Sequence, residues 1–513
     1  MIPPSPNVMA LLFVTGCVSD LDKAKDTAAT RDSEHSSEPP GDDTGPVPTD
    51  SDPGHSTHID DSVGTDSGTS GDSGASDDSG EPGDGVVDLS YADCTGDADD
   101  GRVVKICGTV GVRFSQTSGA QWCDSDGDGQ KEIVVGCSYG LCRPGDPLSS
   151  HMVTEGAFIT NAATTLISSY PRCNGDRDSD GYQDLTIAGE YDTDTERVYT
   201  FDGPFPDGST YDDPVGVLDA DSYRFIGDLA WAPGLGLDGG DGVLVGSQQD
   251  YYSLGWSESY YLSDPSGTHT WEDVTARFTS GGEPDVVVGR TVRSADMDGD
   301  GVSEIILGMD DDDWSAGSVD PSQAQILWYD ATATGEVDVS LTGYEGRIWS
   351  DDDLYAVIPD QFAVGDIDQD GYPDVVSHVE ISWEDRIQTT ICYSPAFSGC
   401  RMSRMDAYIE VATEYDPYPK KPAVLGDLDG DGRAGDLALV LGQYLFLYAS
   451  PPSGYVTEGM DATLNFGDGR FTYLTPISDI NDDGLADLIL ASSNDDEGGE
   501  DVGAIWILYG GAW

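Results

Sequence analysis

The chain has 513 residues, with 97 Asp or Glu against 23 Lys or Arg and a formal net charge of −74. Such a surface repels nucleic acid and anionic lipid head groups, and so argues against both as partners. The length allows two or three ordinary domains or one large repeat domain, and no apolar stretch is long enough to span a membrane as a helix.

At the N-terminus, the apolar run Val8 to Val14, the small Gly16 and then Cys17 resemble a bacterial lipoprotein signal ending in its lipobox, VTGC. The resemblance implies that Cys17 is lipidated and that residues 1–17 are a signal peptide rather than a structural helix. It departs from the pattern only in the segment MIPPSPN, which carries no Lys or Arg. An exported protein follows, lipid-anchored to the bacterial outer membrane or cell surface and touching the membrane through that anchor only. Val18, directly after the lipidated cysteine, is compatible with outer-membrane sorting.

Residues 18–85 are Asp, Ser, Gly, Thr and Pro with almost no large apolar side chains. Such a segment cannot bury enough surface to offset its ordering entropy, and reads as a disordered tether with an r.m.s. reach of roughly 45 Å. The GDSG at Gly71 and the histidines His35, His55 and His58 fall in this tract and carry no chemistry.

Residues 86–513 read as one all-β domain. EIVVGCS, DLTIAGE, GVLVGS, EIILGM, DVVSHVE, DLALVLG and DLILASS are β-branched and apolar, bounded by Gly and Asp. An acidic cluster precedes most of them in a common register. The clusters are DSDGDGQKE at Asp124, DRDSDGYQD at Asp176, DMDGDGVSE at Asp296, DIDQDGYPD at Asp366, DLDGDGRAGD at Asp427 and DINDDGLAD at Asp479. A degenerate unit, GDLAWAPGLGLDGGDGVLVGS at Gly227, falls between the second and third of these. With Asp228 as its first position, unit starts are separated by 52, 52, 68, 70, 61 and 52 residues. Seven such units suit a seven-bladed β-propeller of four-stranded blades. The chain stops after AIWILYG, one strand short in its last blade. A surplus strand candidate, GRVVKICGTV at Gly101, is available to close the ring and remove the open edge.

Apart from Cys17, eight cysteines remain, and an even count in an exported chain suggests disulfides. Spacing favours Cys137–Cys142 and Cys392–Cys400, with Cys94–Cys107 plausible and Cys123–Cys173 by elimination.

The clusters read as metal sites. Calcium takes roughly six to eight oxygens at about 2.3–2.6 Å, and acids at alternate positions of a curled loop supply them. Positions one, three, five and nine offer side chains and position seven a backbone carbonyl. The candidate ligands are Asp124, Asp126, Asp128, Gln130 and Glu132 in the first loop, and Asp176, Asp178, Asp180, Tyr182 and Asp184 in the second. Asp296, Asp298, Asp300, Val302 and Glu304 follow, then Asp366, Asp368, Asp370, Tyr372 and Asp374. The sixth unit offers Asp427, Asp429, Asp431, Arg433 and, after one extra residue, Asp436. The seventh offers Asp479, Asn481, Asp483, Leu485 and Asp487, and its Asn481 predicts weaker binding. The degenerate unit keeps Asp228, Asp238 and Asp241 without the alternation and is expected to lack metal. Without a cation each close carboxylate pair costs up to about 4 kcal/mol at an effective dielectric near 20. The missing His and Cys disfavour zinc, and the many flexible protein ligands favour Ca²⁺ over Mg²⁺. About five or six ions are expected.

These spaced DxDxDGxxD units, each leading into an apolar strand, are similar to the FG-GAP repeats of integrin α-subunit propellers and to related bacterial VCBS-type repeats. FGDGR at Phe466 and VGAIWILYG at Val502 echo the motif that names them. The resemblance implies a seven-bladed propeller with calcium held in the hairpin between the first two strands of a blade, and an outer closing strand from the N-terminus.

No HExxH, P-loop, Rossmann glycine pattern or nucleophile elbow occurs in the ordered part, and His151, His269 and His378 are scattered. The reading is a non-enzymatic, surface-anchored, calcium-binding propeller that mediates adhesion or binds an unidentified protein or glycan. The alternatives are a polysaccharide-active or phospholipid-active enzyme on the same propeller, and a scaffold subunit of an envelope complex. No RGD tripeptide is present. The aromatic stretch DYYSLGWSESYYLSD at Asp250 reads as a strand burying its tyrosines against a neighbouring blade rather than as a sugar platform.

Overall fold

A computed structural model describes the strands and most of their connections from Val86 to Gly511. Residues 1–85 lie outside the described residues, as do several connections, the longest being 90–101, 108–119, 143–156, 161–170, 312–324 and 411–421. The expected cleavage site, lipidation site and tether therefore fall outside it.

Among the described residues there is no α-helix, and the strands fall into seven sheets. In chain order the antiparallel strands of blade I are Gln121–Cys123, Glu132–Cys137, Gly140–Cys142 and Ala157–Thr160. Those of blade II are Arg172–Gly175, Asp184–Asp192, Thr195–Phe201 and Gly216–Asp219, and those of blade III are Arg224–Ala232, Gly242–Gln249, Glu258–Leu262 and Ala276–Thr279. Blade IV has Val286–Ala295, Glu304–Asp311, Gln325–Tyr329 and Gly346–Trp349, and blade V has Tyr355–Gly365, Asp374–Ile381, Arg386–Cys392 and Ala407–Glu410. Blade VI follows with Ala423–Val424, Leu437–Leu441, Tyr444–Tyr448 and Ala462–Asn465.

Blade VII has three strands of its own, Tyr473–Ile477, Asp487–Ser492 and Ala504–Leu508. Its fourth is Val103–Cys107, running antiparallel with Val103 opposite Leu508 and Cys107 opposite Ala504. The expected closure by the strand after Gly101 is what the chain does. Every residue of that strand is buried. Lys105 pairs with Asp495 at 2.8 Å and lies 4.9 Å from the Trp506 ring centroid.

The first strands touch one another in order around the molecule, and the first strand of blade VII returns to that of blade I. This inner ring makes the fold a closed seven-bladed propeller. The core confirms it, for the buried apolar residues form seven clusters and each lies between two consecutive sheets. Ile305 and Leu307 face blade III while Ile306, between them, faces blade V. Alternate residues of a strand point to opposite faces, and here both faces are covered, so the strands read as unbroken apolar runs. Tyr260 and Tyr261 divide in the same way, each 3% exposed and packed against a different neighbouring blade. The burial expected for the aromatic stretch holds at these two positions.

A further layer lies outside the blades. Among the described residues, a short strand from the connection before six of the outer strands crosses back and pairs in parallel with the outer strand of the preceding blade. Gly267–Thr270 of blade III lies on blade II, Gly335–Asp338 of blade IV on blade III, and Cys400–Arg401 of blade V on blade IV. Val86–Asp88, directly ahead of the closing strand, does the same to blade VI. Each strap covers an edge that otherwise exposes unpaired N–H and C=O groups.

Two disulfides reinforce these junctions. Cys123–Cys173 joins the inner strands of blades I and II, and Cys392–Cys400 ties a blade V strand to its strap. Both match the expected pairings, and Cys107 is disulfide-bonded as well. Cys94 and the side chains of Cys137 and Cys142 lie outside the described residues.

Candidate metal centres

Each acidic cluster is the hairpin between the first and second strands of its blade. The loop at Asp296 shows how nine residues close on themselves. Asp296 at position one accepts N–H donation from Gly299 (2.7 Å) and Gly301 (2.9 Å). Asp298 accepts from the amide of Asp300, and Asp300 accepts from that of Val302. The loops at Asp176, Asp366, Asp427 and Asp479 repeat the bonds to positions five, six and seven. Positions four and six both take positive φ wherever they are described. Gly299 and Gly301 do so at 76° and 89°, and the non-glycine residues Ser179 and Gln369 do so at position four of their loops. An L-residue adopts that conformation at a cost, which the carboxylate-bonded loop imposes.

Position nine behaves differently. Asp184, Glu304, Asp374, Asp436 and Asp487 are all buried. Each accepts the amide of position two in its own loop, that of Arg177, Met297, Ile367, Leu428 or Ile480. In three blades the other oxygen accepts an amide just beyond the third strand, from Gly203, Ser394 or Gly510. The residue is thus an anchor riveting the loop to its sheet. Burial, with neighbouring acids adding to it, raises its pKa to about 6 for Asp184 and Asp487 and to about 7 for Glu304, Asp374 and Asp436.

Among the described residues, three carboxylate oxygens converge within 4.8 Å of one another in four loops. The sets are Asp176, Asp178 and Asp184; Asp296, Asp298 and Asp300; Asp366, Asp368 and Asp374; and Asp427, Asp429 and Asp436. Oδ1 of Asp366 is buried with no hydrogen-bond partner, an orphan that a cation would satisfy. Hard oxygen donors at this density suit a divalent cation of the calcium type. Tyr182, Val302, Tyr372, Arg433 and Leu485 stand at position seven, where only the backbone carbonyl is a candidate donor. The extra residue of the sixth unit is absorbed at Gly435, whose φ of 96° returns Asp436 to the anchor position. In the seventh loop the Asn481 amide donates to Asp483 Oδ2 at 3.0 Å, so one oxygen of that acid is engaged within the loop. In the first loop Asp124 accepts from Gly127 at 2.8 Å, while Asp126, Asp128 and Gln130 lie outside the described residues and Glu132 opens the second strand.

The degenerate unit needs a correction. Asp228 is not the first residue of a loop but sits within the strand Arg224–Ala232. The hairpin that follows starts at Pro233, since Ala232 pairs with Gly242 as Ala295 pairs with Glu304. LAWA resembles loop sequence only when the first acid sets the alignment. Its Leu229 and Trp231 are buried strand residues. Asp228, 1% exposed, is held between Arg172 of blade II (2.8 Å) and Arg293 of blade IV (2.7 Å), an ionic tie across three inner strands. Asp238 lies outside the described residues. Asp241 accepts from Gly234 in its own loop and from the amide of Asp176 at 3.0 Å, bracing the neighbouring candidate site.

Some acids near the sites have no place in the repeat register. Glu345 faces Asp298 and Asp300, and its pKa is raised by burial and by acids that include them. Asp461 lines a cavity of about 290 Å³ beside Asp429 and Asp436. Glu345, Asp406 and Asp461 each stand one residue ahead of an outer strand, a signal that alignment of the outer strands reveals.

No family model matches the chain, and no curated protein matches it. Solved structures that are similar include BBS1N in complex with ARL6DN, at 11% identity and a TM-score of 0.44, covering 78% of this chain and 93% of that one. The propeller of Dos1 is similar at 9% identity and 0.35, covering 80% and 97%, and Sqt1 of Saccharomyces cerevisiae at 9% and 0.39, covering 78% and 96%.

Proposed function

We propose that this is a calcium-stiffened propeller displayed at the bacterial surface, where it binds a protein or glycan without catalysing a reaction. The observation that carries the calcium reading is the repeated loop in which carboxylate oxygens converge within 4.8 Å, with Asp366 Oδ1 left unpartnered. Asp176, Asp178, Asp180 and Asp184, and their counterparts in blades I, IV, V and VI, hold the ions, with blade VII weaker and blade III without one. The ion supplies positive charge that cancels the repulsion among these acids; catalysis is not its part. The DxDxDGxxD register resembles FG-GAP and VCBS-type repeats, and the resemblance rests on these motifs.

Calorimetric titration of the chelator-stripped chain tests the reading. Five or six ions are expected, and no binding heat at millimolar Ca²⁺ sinks it. Anchoring through Cys17 is tested by the partition of Cys17→Ala, which should move from the membrane to the soluble fraction. Glycan arrays and surface pull-downs with calcium-loaded protein identify the ligand, and breakdown of a polysaccharide by the same preparation overturns the non-catalytic reading.

A further inference from the structure

Three pairs of neighbouring loops share one contact. In blade V the amide of Tyr372 donates to Asp370 Oδ1 at 2.9 Å, while its ring occupies the place a Cβ on Gly299 of the blade IV loop would take. Gly299 in turn donates to Asp296 Oδ1 at 2.7 Å. In blades I and II, Tyr182 donates to Asp180 Oδ1, its ring lies about 3.0 Å from where a Cβ on Gly127 would stand, and Gly127 donates to Asp124 Oδ1. In blades VI and VII, Leu485 donates to Asp483 Oδ1, its side chain lies 3.4 Å from the same point on Gly430, and Gly430 donates to Asp427 Oδ1.

A fifth-position acid of one loop is therefore linked to the first-position acid of the preceding loop. The link consists of one backbone amide, one apolar side chain and one glycine. The residue types follow the pairing. Position four is glycine in loops I, IV and VI, which receive the side chain, but Ser179 and Gln369 in loops II and V. Position seven is Tyr182, Tyr372 and Leu485 in the loops that reach across, but Gln130, Val302 and Arg433 in their partners.

We propose that these contacts couple the ions, so that calcium loads by pairs, in blades I–II, IV–V and VI–VII, and binding in one loop strengthens binding in its partner. The inference rests on the calcium reading above. An ion draws the first and fifth acids of its loop together, which sets position four and position seven. A loop whose neighbour is already ordered loses less conformational entropy when its own ion arrives.

Calcium titration of the stripped full-length chain by calorimetry tests the coupling through a double-mutant cycle on blades IV and V. Asp368→Ala takes both side-chain oxygens out of the third position and removes the blade V ion. With Tyr372 present, the ion count should fall by one and a second site should weaken about fivefold, at the lower end of measured couplings. With Tyr372→Ala, Asp368→Ala should remove one ion and leave the blade IV site unchanged. Tyr372→Phe keeps the ring and should restore the coupling, which separates loss of contact from loss of folding. Val302→Ala serves as the control, because that side chain is 43% exposed and the loop before it lacks the alternating acids. Remaining affinities that are unchanged in both backgrounds overturn the coupling alone. A wild-type chain that binds no calcium overturns the calcium reading and the coupling together.

Discussion

At the residue scale, the acids of a loop have two different jobs. Asp374 is 0% exposed and accepts backbone amides from both Ile367 (2.8 Å) and Ser394 (2.8 Å), whereas Asp368 is exposed. Asp374→Asn places an amide donor against backbone donors and should cost about 1–3 kcal/mol in urea unfolding under chelator. Asp368→Asn should cost less than about 0.5 kcal/mol there, its effect appearing only when calcium is added. The anchors also set a pH dependence. Their folded pKa values, about 6 to 7, lie above those of the unfolded chain, so the native state binds more protons across the interval from about 4 to 7. Stability of the metal-free chain should therefore fall as pH rises through that interval and level off above it. Melting curves in chelator at pH 5.5 and 8 check this. About 0.3 M salt screens repulsion between exposed acids but acts much less on the buried anchors, so the difference should persist. Asp228 is the other residue of consequence. Asp228→Ala leaves Arg172 and Arg293 facing each other unpaired and should cost about 3–5 kcal/mol.

At the element scale, the strand Val103–Cys107 closes the molecule. Ile106 is 0% exposed and packs between blades VII and I, so Ile106→Ala should destabilise by about 2–5 kcal/mol, as much as the same change at Ile306 in a blade continuous in sequence. Equal effects in urea unfolding show that closure is integral to the fold, while a much smaller effect at Ile106 shows that the ring tolerates opening. The two disulfides differ in the chain length they close. Cys123–Cys173 spans 50 residues and Cys392–Cys400 spans 8. On the chain-entropy model, removing the first as a double Ser variant should cost about 4 kcal/mol and removing the second about 2.5 kcal/mol.

At the scale of the whole molecule, a chain of net charge −74 must fold against its own repulsion. Six sites, each with a dissociation constant near 0.1 mM, would add roughly 8 kcal/mol in 1 mM Ca²⁺, comparable to the net stability of a domain. Chelation should lower the melting midpoint by roughly 10 °C, and millimolar calcium should restore it. A midpoint unchanged by EDTA argues that the acids are mere turn residues.

Periodicity alone determined the class of fold, the number of blades and the closing strand. Apolar runs, a repeating acidic register and a last unit one strand short are all local properties of the chain. The same register located the candidate ligands, since alternation along nine residues suffices to curl them together. It misplaced the degenerate unit at Asp228, because one acid does not reveal that LAWA is a buried strand. Only the tertiary structure separated the buried anchors from the exposed acids, since burial depends on the neighbouring sheet. It also decided the parallel straps, the Arg172–Asp228–Arg293 tie and the position of Tyr372 over Gly299. These join residues on different blades that lie far apart in sequence, from about 45 to 75 residues and up to the pairing of Val86 with Thr463, and no local pattern records such a distance.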